Sequence, residues 1–414
     1  MDQVAPPKKL GPLAKREEKL AWILLLPTVT AVALVIILPL ASIFWISFKP
    51  IKLSDLRAPT VLFKESFHGK PAKAGDLGEI RYKLRNSSRE FSIENITLTD
   101  SLPAGLIIKE LDRRCKLENK VLQCKLGTFP GGYREIIKIP VTITTSYLET
   151  NINPKTSLPI LLGNSDYILT NLKLSLENFK RIFNRKEFFQ VLYVTLFYTV
   201  FGTLGALVLG LAAALILDKT FKGQAILRGL FLFPYVAPVI AVAFTWVMLL
   251  DPFSGSINAL LIQMNVIESP INFFGRKPLA LIMVTTFEIW RYFPLSFLFI
   301  LARMQSIDGD MYEAAEMDGA SPFQQFFYLS IPMLAGILSV LFLLRFIWTF
   351  NKFDDIFLLT GGNAGTRTLT VNVYEQAFAI SNIGAGAAVA VVIFACLILF
   401  SVLFFRFINR EEGL

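Results

Sequence analysis

The sequence predicts an all-α membrane protein of six transmembrane helices, with a β-sandwich inserted after the first of them. Three features carry that expectation. Six apolar runs are long enough to cross a bilayer, a polar segment with strand-like alternation separates the first run from the second, and basic residues collect at the run ends that fall on one side.

Of 414 residues, 54% are hydrophobic and 18% charged, against about 45–50% and about 25% in ordinary soluble domains. Mean hydropathy is +0.54. The formal net charge of +9 flanks apolar runs and builds no groove-reading basic helix, so it reads as membrane topology and not as nucleic-acid binding. His68 is the single histidine and there are three cysteines, too few for a histidine-based metal site or a Cys/His nucleophile pair. His68 is expected at the surface.

The runs lie at 20–48, 188–217, 225–250, 278–302, 333–359 and 385–408, each close to or above the roughly 20 residues a crossing helix needs. The first is too long for a cleaved signal peptide and no A-x-A-like site closes it, so it reads as a retained helix. Orientation follows from the basic residues. Lys8, Lys9, Lys15, Arg16 and Lys19 precede the first run, Lys219, Lys222 and Arg228 follow the second, and Arg406 and Arg410 end the sixth. With six crossings these share a side, which the positive-inside rule makes the cytoplasm. The tail 1–19, both termini and the loop 303–332 are then cytoplasmic in a bacterial inner membrane, and 49–187 is periplasmic. Arg276 and Lys277 run against this count.

Segment 49–187 alternates with a period of two in Ile80-Arg81-Tyr82-Lys83-Leu84, in Ile93-Glu94-Asn95-Ile96-Thr97-Leu98 and in Ile137-Lys138-Ile139-Pro140-Val141-Thr142-Ile143. That pattern predicts half-buried strands and a small sandwich at about 60–148. Thr99-Asp100-Ser101-Leu102-Pro103-Ala104-Gly105-Leu106, followed by Cys124-Lys125-Leu126-Gly127-Thr128-Phe129, resembles a bacterial cell-surface repeat, and the resemblance implies an immunoglobulin-like sandwich. Cys115 and Cys124 flank a turn at Glu118-Asn119. In an oxidising periplasm a cross-strand disulfide is expected of them, with two free thiols as the alternative. Cys396, inside the sixth run, is expected only to pack.

The loop 303–332 carries dense local signals. Asp310 with Glu313 fits a capping box that starts a short helix, Ala314 and Ala315 favour it, and Gly319 suits its left-handed end. Ser321 with Gln324 forms a second box, with Pro322 at the first helical position. Phe323, Phe326 and Phe327 share a face, and Pro332 is expected to end the second helix. Two short helices at a sharp angle suit a groove on another protein. The alternative is an amphipathic loop lying on the membrane.

Glu313-Ala314-Ala315, Gly319, Ile331-Pro332 and Leu334 resemble the coupling motif of ABC importer permeases. With Asp318-Gly319-Ala320 and Phe326, the loop is similar to the sugar-permease branch that includes the maltose permease subunits. Trp348-Thr349-Phe350-Asn351-Lys352-Phe353-Asp354-Asp355, Leu358-Leu359-Thr360-Gly361-Gly362, Pro234-Tyr235 with Pro238, and Trp290 with Pro294 extend the likeness over about 188–414. The resemblance implies that Glu313, Ala314, Ala315, Asp318, Gly319, Ala320 and Pro332 dock on an ATPase. It implies as partners a second homologous permease subunit, two ATP-binding cassette subunits, a periplasmic solute-binding protein and the lipid bilayer. Leu329-Ser330-Ile331-Pro332-Met333-Leu334 departs from the branch, which often has Leu before the Pro, and the inserted sandwich has no matched counterpart there.

The chain has no G-x-x-x-x-G-K-[ST] loop. Gly361-Gly362-Asn363-Ala364-Gly365 lacks the lysine and reads as a turn, so no cofactor is expected in this chain and ATP is left to the partner subunits. No catalytic or metal residues are expected either. Asp354 and Asp355 are adjacent carboxylates, but neighbouring helix positions point about 100° apart, and an enzyme reading is set aside.

Charged groups within apolar runs face cavities or one another. Glu288, Arg291, Tyr292 and Leu295 form one helical stripe, and Arg345, Thr349 and Lys352, with Asn351 beside them, form another in the fifth run. These stripes read as a solute path, or as an ion pair that only locks the bundle. The maltose-permease resemblance implies solute contact at the same positions and at Tyr235 and Val239, with several changed from neutral to charged. The function implied is that of a permease subunit in an ATP-driven importer for a carbohydrate or related solute, such as an oligosaccharide, polyol or glycosyl-glycerol. The alternative is an envelope-anchored interaction protein that uses the sandwich.

Overall fold

A computed structural model describes residues 12–411, except 70, 151–158, 170 and 185. Lys8, Lys9 and the side chain of Arg410 lie outside the described residues. The chain divides into a helical unit and a sandwich unit made of 49–175 with 381–383.

The first span comprises α1 (Pro12–Val32), a π turn at Ala33–Ile37 and α2 (Leu38–Ser47). Pro39 lies two residues past the end of the π turn. A proline lacks the N–H of the helix ladder and its ring crowds the carbonyl four residues back. One widened turn takes up that conflict and the helix continues.

The sandwich contains β1 (Val61–His68), β2 (Leu77–Asn86), β3 (Ile93–Ser101), β4 (Leu106–Ile108), β5 (Cys115–Glu118), β6 (Val121–Phe129), β7 (Arg134–Ile143), the short α3 (Thr145–Thr150) and β8 (Ile160–Ser165). One antiparallel sheet runs β1-β2-β7-β4 and the other β5-β6-β3-β8. The period-two residues close the core: Ile80, Tyr82 and Leu84 of β2 and Ile137, Ile139 and Val141 of β7 face Ile96 and Leu98 of β3 and Leu122, Cys124 and Leu126 of β6. The sheet thus reaches past the expected end at 148, because β8 pairs with β3. The turn between β5 and β6 also sits one residue later than expected. Asn119 and Lys120, at φ 50° and 66°, form the doubly left-handed two-residue turn that matches strand twist. This register sets Cys115 opposite Cys124, Cα atoms 3.9 Å apart, with their sulfurs bonded.

Two polar groups organise the interior. The Tyr82 hydroxyl donates to the Asp100 carboxylate and both residues are buried; burial, then the hydrogen bond to Asp100, pushes the phenol well above its ordinary range. Asn86 donates to the carbonyls of Phe91, Phe129 and Pro130 at 2.8, 3.0 and 3.1 Å. The unit is also tied at its ends. The Lys49 ammonium donates to the Asn171 carbonyl and, at 2.7 Å, to its side-chain oxygen.

The helical unit continues with α4 (Glu177–Phe183), α5 (Lys186–Asp218), α6 (Gln224–Phe231), α7 (Phe233–Val236), α8 (Val239–Leu249), α9 (Ser256–Gln263), α10 (Leu279–Met304), α11 (Gly309–Met317), α12 (Pro322–Gln325), α13 (Ile331–Phe350), α14 (Asp354–Thr360), α15 (Leu369–Tyr374) and α16 (Ile383–Glu411). Among the described residues five helices are long and apolar enough to cross a membrane, and a bent pair makes a sixth if taken as one span. That pair corrects the continuous helix expected over 225–250: α6–α7 and α8 meet at 90°. Pro238 forces Ala237 out of the helical region, to ψ 144°. The fifth span also differs from the expected 333–359. It starts at α12, runs through a π turn at Phe326–Ser330 and stops at Phe350. Lys352 therefore lies in a link, and Asp354 and Asp355 open the separate α14. Pro332 does not end a helix; the π turn before it accommodates it, as at Pro39.

α5 and α10 pack closely because glycines face the contact. A Cβ on Gly202 would meet Glu288 at 2.9 Å, and one on Gly210 would lie 2.8 Å from the Phe297 nitrogen.

Replacing Tyr82 with Phe leaves the buried Asp100 without its donor and should lower stability by about 1–3 kcal/mol. The double change Tyr82→Phe/Asp100→Leu should recover much of that loss. Pulse proteolysis of the full chain across a urea series checks both, and equal midpoints for the single and double variants would remove this pair's stabilising role.

Candidate functional site

The helices converge on a buried group of charges. Glu288, at the middle of α10, is 1% exposed. Its Oε1 accepts from Arg345 Nη2 at 2.8 Å and from Thr349 Oγ1 at 3.0 Å, both on α13, and its Oε2 accepts from Tyr198 Oη of α5 at 2.9 Å. Gly202, on the same helix as Tyr198, gives the carboxylate stem its room. A charge taken out of water this completely is tolerated only when paired and hydrogen-bonded, and here three helices supply the partners.

Arg291, almost one turn further along α10, serves the helix break. Its Nη1 donates to the Pro234 carbonyl and its Nη2 to the Ala237 carbonyl, each at 3.0 Å. The Pro234 carbonyl would normally receive the N–H of residue 238, which is a proline without one. The Ala237 carbonyl loses its own partner at the bend. The planar guanidinium replaces both donors at once.

Tyr292 lies among cations. Its ring centroid is 4.3 Å from Lys352 Nζ, 4.8 Å from Arg345 Cζ and 5.6 Å from Arg291 Cζ, within the range of cation–π attraction. Its hydroxyl accepts from Lys352. Lys352 is also 3.5 Å from Asp354 and 3.8 Å from Asp355, which is wholly buried. On the open side Tyr235 packs edge-on to Tyr292, with centroids 6.0 Å apart, and is 39% exposed. Val239 and Leu295 are half-buried and Asn351 is exposed, its amide donating to the Ile347 carbonyl.

The two predicted stripes therefore divide. Glu288, Arg291, Arg345 and Thr349 are buried framework, in which the carboxylate and the arginine neutralise each other. Tyr235, Tyr292, Lys352, Val239, Leu295 and Asn351 lie at or nearer the surface. Sequence reasoning passed over Tyr198, whose signal was a hydroxyl in the middle of an apolar run. It placed Asp355 among the charges of the fifth run and in an acid pair, whereas the structure buries the residue completely in the first turn of α14. The Gly361–Gly365 stretch forms a turn, with Gly361, Gly362, Ala364 and Gly365 at φ 62°, 80°, 51° and 81°.

The segment 303–332 is a second candidate. α11 starts at Asp308, whose Oδ1 accepts from the Asp310 N–H at 3.2 Å; Asp310, expected as the cap, lies in the first turn. The end is a double-bonded glycine cap: Gly319, at φ 79°, donates to Glu316 and Ala320 donates to Ala315, both at 2.9 Å. Ser321 and Gln324 exchange both bonds of the second box. None of α11 is buried. Glu313, Ala314, Asp318, Gly319 and Pro332 are exposed, and Ala315 and Ala320 half-buried. Met317, Phe323 and Tyr328 are 88%, 72% and 77% exposed. The Tyr312 hydroxyl is 3.0 Å from Ser330 Oγ and ties α11 to the π turn.

The family of binding-protein-dependent transport system inner membrane components matches residues 206–412. An inner membrane ABC transporter permease protein of Escherichia coli (strain K12) is 35% identical over 231 residues, 56% of this chain and 77% of that protein. The trehalose/maltose transport system permease protein MalF of Thermococcus litoralis is 31% identical over 56% of this chain and 79% of its own length. Among solved structures, one chain of a bacterial alginate ABC transporter, in complex with an alginate pentasaccharide-bound periplasmic protein, shares the fold. Its TM-score is 0.54 at 17% identity, over 58% of this chain and 84% of that one.

Arg345→Met strands the Glu288 carboxylate in the bundle and should cost about 3–5 kcal/mol, whereas Arg345→Met with Glu288→Met should be far milder. Thermal unfolding read by dye labelling of the Cys396 thiol, half-buried in α16, follows both. A double variant as unstable as the single one would contradict the pairing.

Proposed function

The chain belongs to the family of binding-protein-dependent transport system inner membrane components, and from that premise we propose that it is the permease subunit of an ATP-driven importer for a carbohydrate or related solute. An oligosaccharide, a polyol or a glycosyl-glycerol is the solute class, delivered by a periplasmic binding protein. The chain performs no chemistry and holds no cofactor; ATP is bound by two partner cassette subunits, and a second homologous permease completes the pore.

The observation that carries this reading is the exposed α11, held between two covalently adjacent spans. Its N-terminal side follows α10 within a few residues, and its C-terminal side turns at Gly319 into α12 and α13. Those two spans are the ones joined by Glu288, Arg345 and Thr349. An ATPase that grips Glu313, Ala314, Ala315, Asp318, Gly319 and Ala320, with Pro332 at the base, moves α10 and α13 as one piece. The capped ends and the Tyr312–Ser330 contact keep the loop stiff enough to carry a push.

In this reading Tyr235, Tyr292, Val239, Leu295, Asn351 and Lys352 form the solute path, while Glu288, Arg291, Arg345 and Thr349 hold it from behind. Aromatic rings beside fixed donors suit sugar faces and hydroxyls, and sugar transport by the relative from Thermococcus litoralis supports the class. The termini and 303–332 face the cytoplasm and the sandwich faces the periplasm, an oxidising compartment compatible with the Cys115–Cys124 bridge. Two antiparallel four-stranded sheets support an immunoglobulin-like assignment for that domain.

Glu313→Lys combined with Gly319→Asp should abolish uptake of labelled solute and crosslinking of α11 to the ATPase, while the chain still inserts in the membrane. Normal uptake by that variant would refute the coupling role. Tyr235→Ala should instead change which of a panel of sugars and polyols is taken up, with the thermal midpoint nearly unchanged. An unaltered panel would remove Tyr235 from the path.

A further inference from the structure

The outward face of the β1-β2-β7 part of the first sheet concentrates one sign of charge. Along β2, Arg81, Lys83 and Arg85 point away from the core, at alternate positions to the buried Ile80, Tyr82 and Leu84. The strand register places a further cation directly opposite each. Arg81 is opposite Lys138, Lys83 opposite Lys64 and Arg85 opposite Arg134. Five of these six are exposed and Arg81 is half-buried.

Directly opposed side chains on one face have Cβ atoms about 4.5–5.5 Å apart, and like charges there are destabilising. Three such pairs in succession form a costly arrangement that the fold alone does not require. The face offers little internal relief. Glu79 is its one acid among the described residues, and it is already bonded to Arg81. Lys64, Lys83, Arg85, Arg134 and Lys138 make no side-chain hydrogen bond or ion pair among the described residues.

The shape of the array narrows the partner. The cations follow β2 at about 6.6–6.8 Å per step, from the strand rise, with the flanking charge on β7, then β1, then β7. This is a linear track, not a pocket. Three of the six are arginines, whose forked donors pair with carboxylates two at a time. The face carries no phenylalanine, tyrosine or tryptophan among the described positions, whereas protein interfaces are anchored by buried rings of those types.

We propose that this face of the sandwich binds a linear polyanionic glycan, its carboxylates lying along the Arg81–Lys83–Arg85 track. The inference stands on the sheet alone and is independent of the transport reading. The bound polymer relieves the like-charge repulsion that the free domain carries, and screening by salt weakens the complex, since the contacts are exposed.

The test uses the full chain in nanodiscs of neutral phosphatidylcholine, with fluorescence anisotropy of a labelled oligogalacturonate. A neutral oligosaccharide of equal length and phosphatidylglycerol vesicles are the comparison arms. The oligogalacturonate should bind, the neutral oligosaccharide should not, and affinity should fall as salt rises toward about 0.15 M. Lys83→Thr with Arg85→Thr should weaken binding on the order of tenfold or more. The same variant should unfold no earlier than the parent, because it removes two like-charge contacts, so lost binding is not mistaken for lost structure. Unchanged affinity in that variant overturns the proposal, as does no binding of the parent. Stronger, competing capture by phosphatidylglycerol vesicles also overturns it, in favour of a lipid surface.

Discussion

One carboxylate sets the terms for the helical unit. Glu288 lies where α5, α10 and α13 meet, and both its oxygens are used: one by Arg345 and Thr349, the other by Tyr198. Removing a carboxylate from water costs several kcal/mol even after relaxation, so the position persists only while all three helices hold their register. The interaction is thus a constraint as much as an attraction. It fixes the rotation of α10 and α13 about their axes and thereby fixes which side of each helix is open. Tyr292, one residue past Arg291 on α10, reaches the open side because Glu288 and Arg291 face inward.

Prolines make the second pattern. At Pro238 the helix breaks through 90° and the lost donors are supplied from another helix, by the two nitrogens of Arg291. At Pro39 and Pro332 the helix continues past a widened turn, and at Pro27 and Pro294 it continues without one. The difference follows from what surrounds them. The carbonyls near Pro238 find a guanidinium within reach, whereas π turns solve the problem within the helix itself. Proline in a membrane span is therefore not a stop signal by itself, and its effect depends on where substitute donors come from.

Much of this was legible in the sequence and the remainder depended on distant neighbours. Period-two alternation located β2, β3 and β7, because burial on one face writes itself into every second residue. Ser321 and Gln324 announced their helix start, since a capping box is a contact between residues three apart. β8 was invisible because its pairing with β3 crosses more than 60 residues of chain. The end of the fifth span was hidden for another reason. Apolar residues continue through Phe353, Ile356, Leu358 and Leu359, so hydropathy could not see the helix stop at Phe350. The bend at Pro238 had a local signal in the proline itself, but the arginine that supplies its missing donors is 54–57 positions away. The charged stripes were found, but only the structure separates the residues that hold the bundle from those that face outward.

Lys49 and Asn171 stand at the two ends of the sandwich unit and are hydrogen-bonded to each other. A segment closed by a bond between positions near its two ends leaves the chain almost where it entered. Its size is then free to vary without any change to the helices before and after it. Such a clasp makes the length of the segment between Lys49 and Asn171 independent of the distance between its ends.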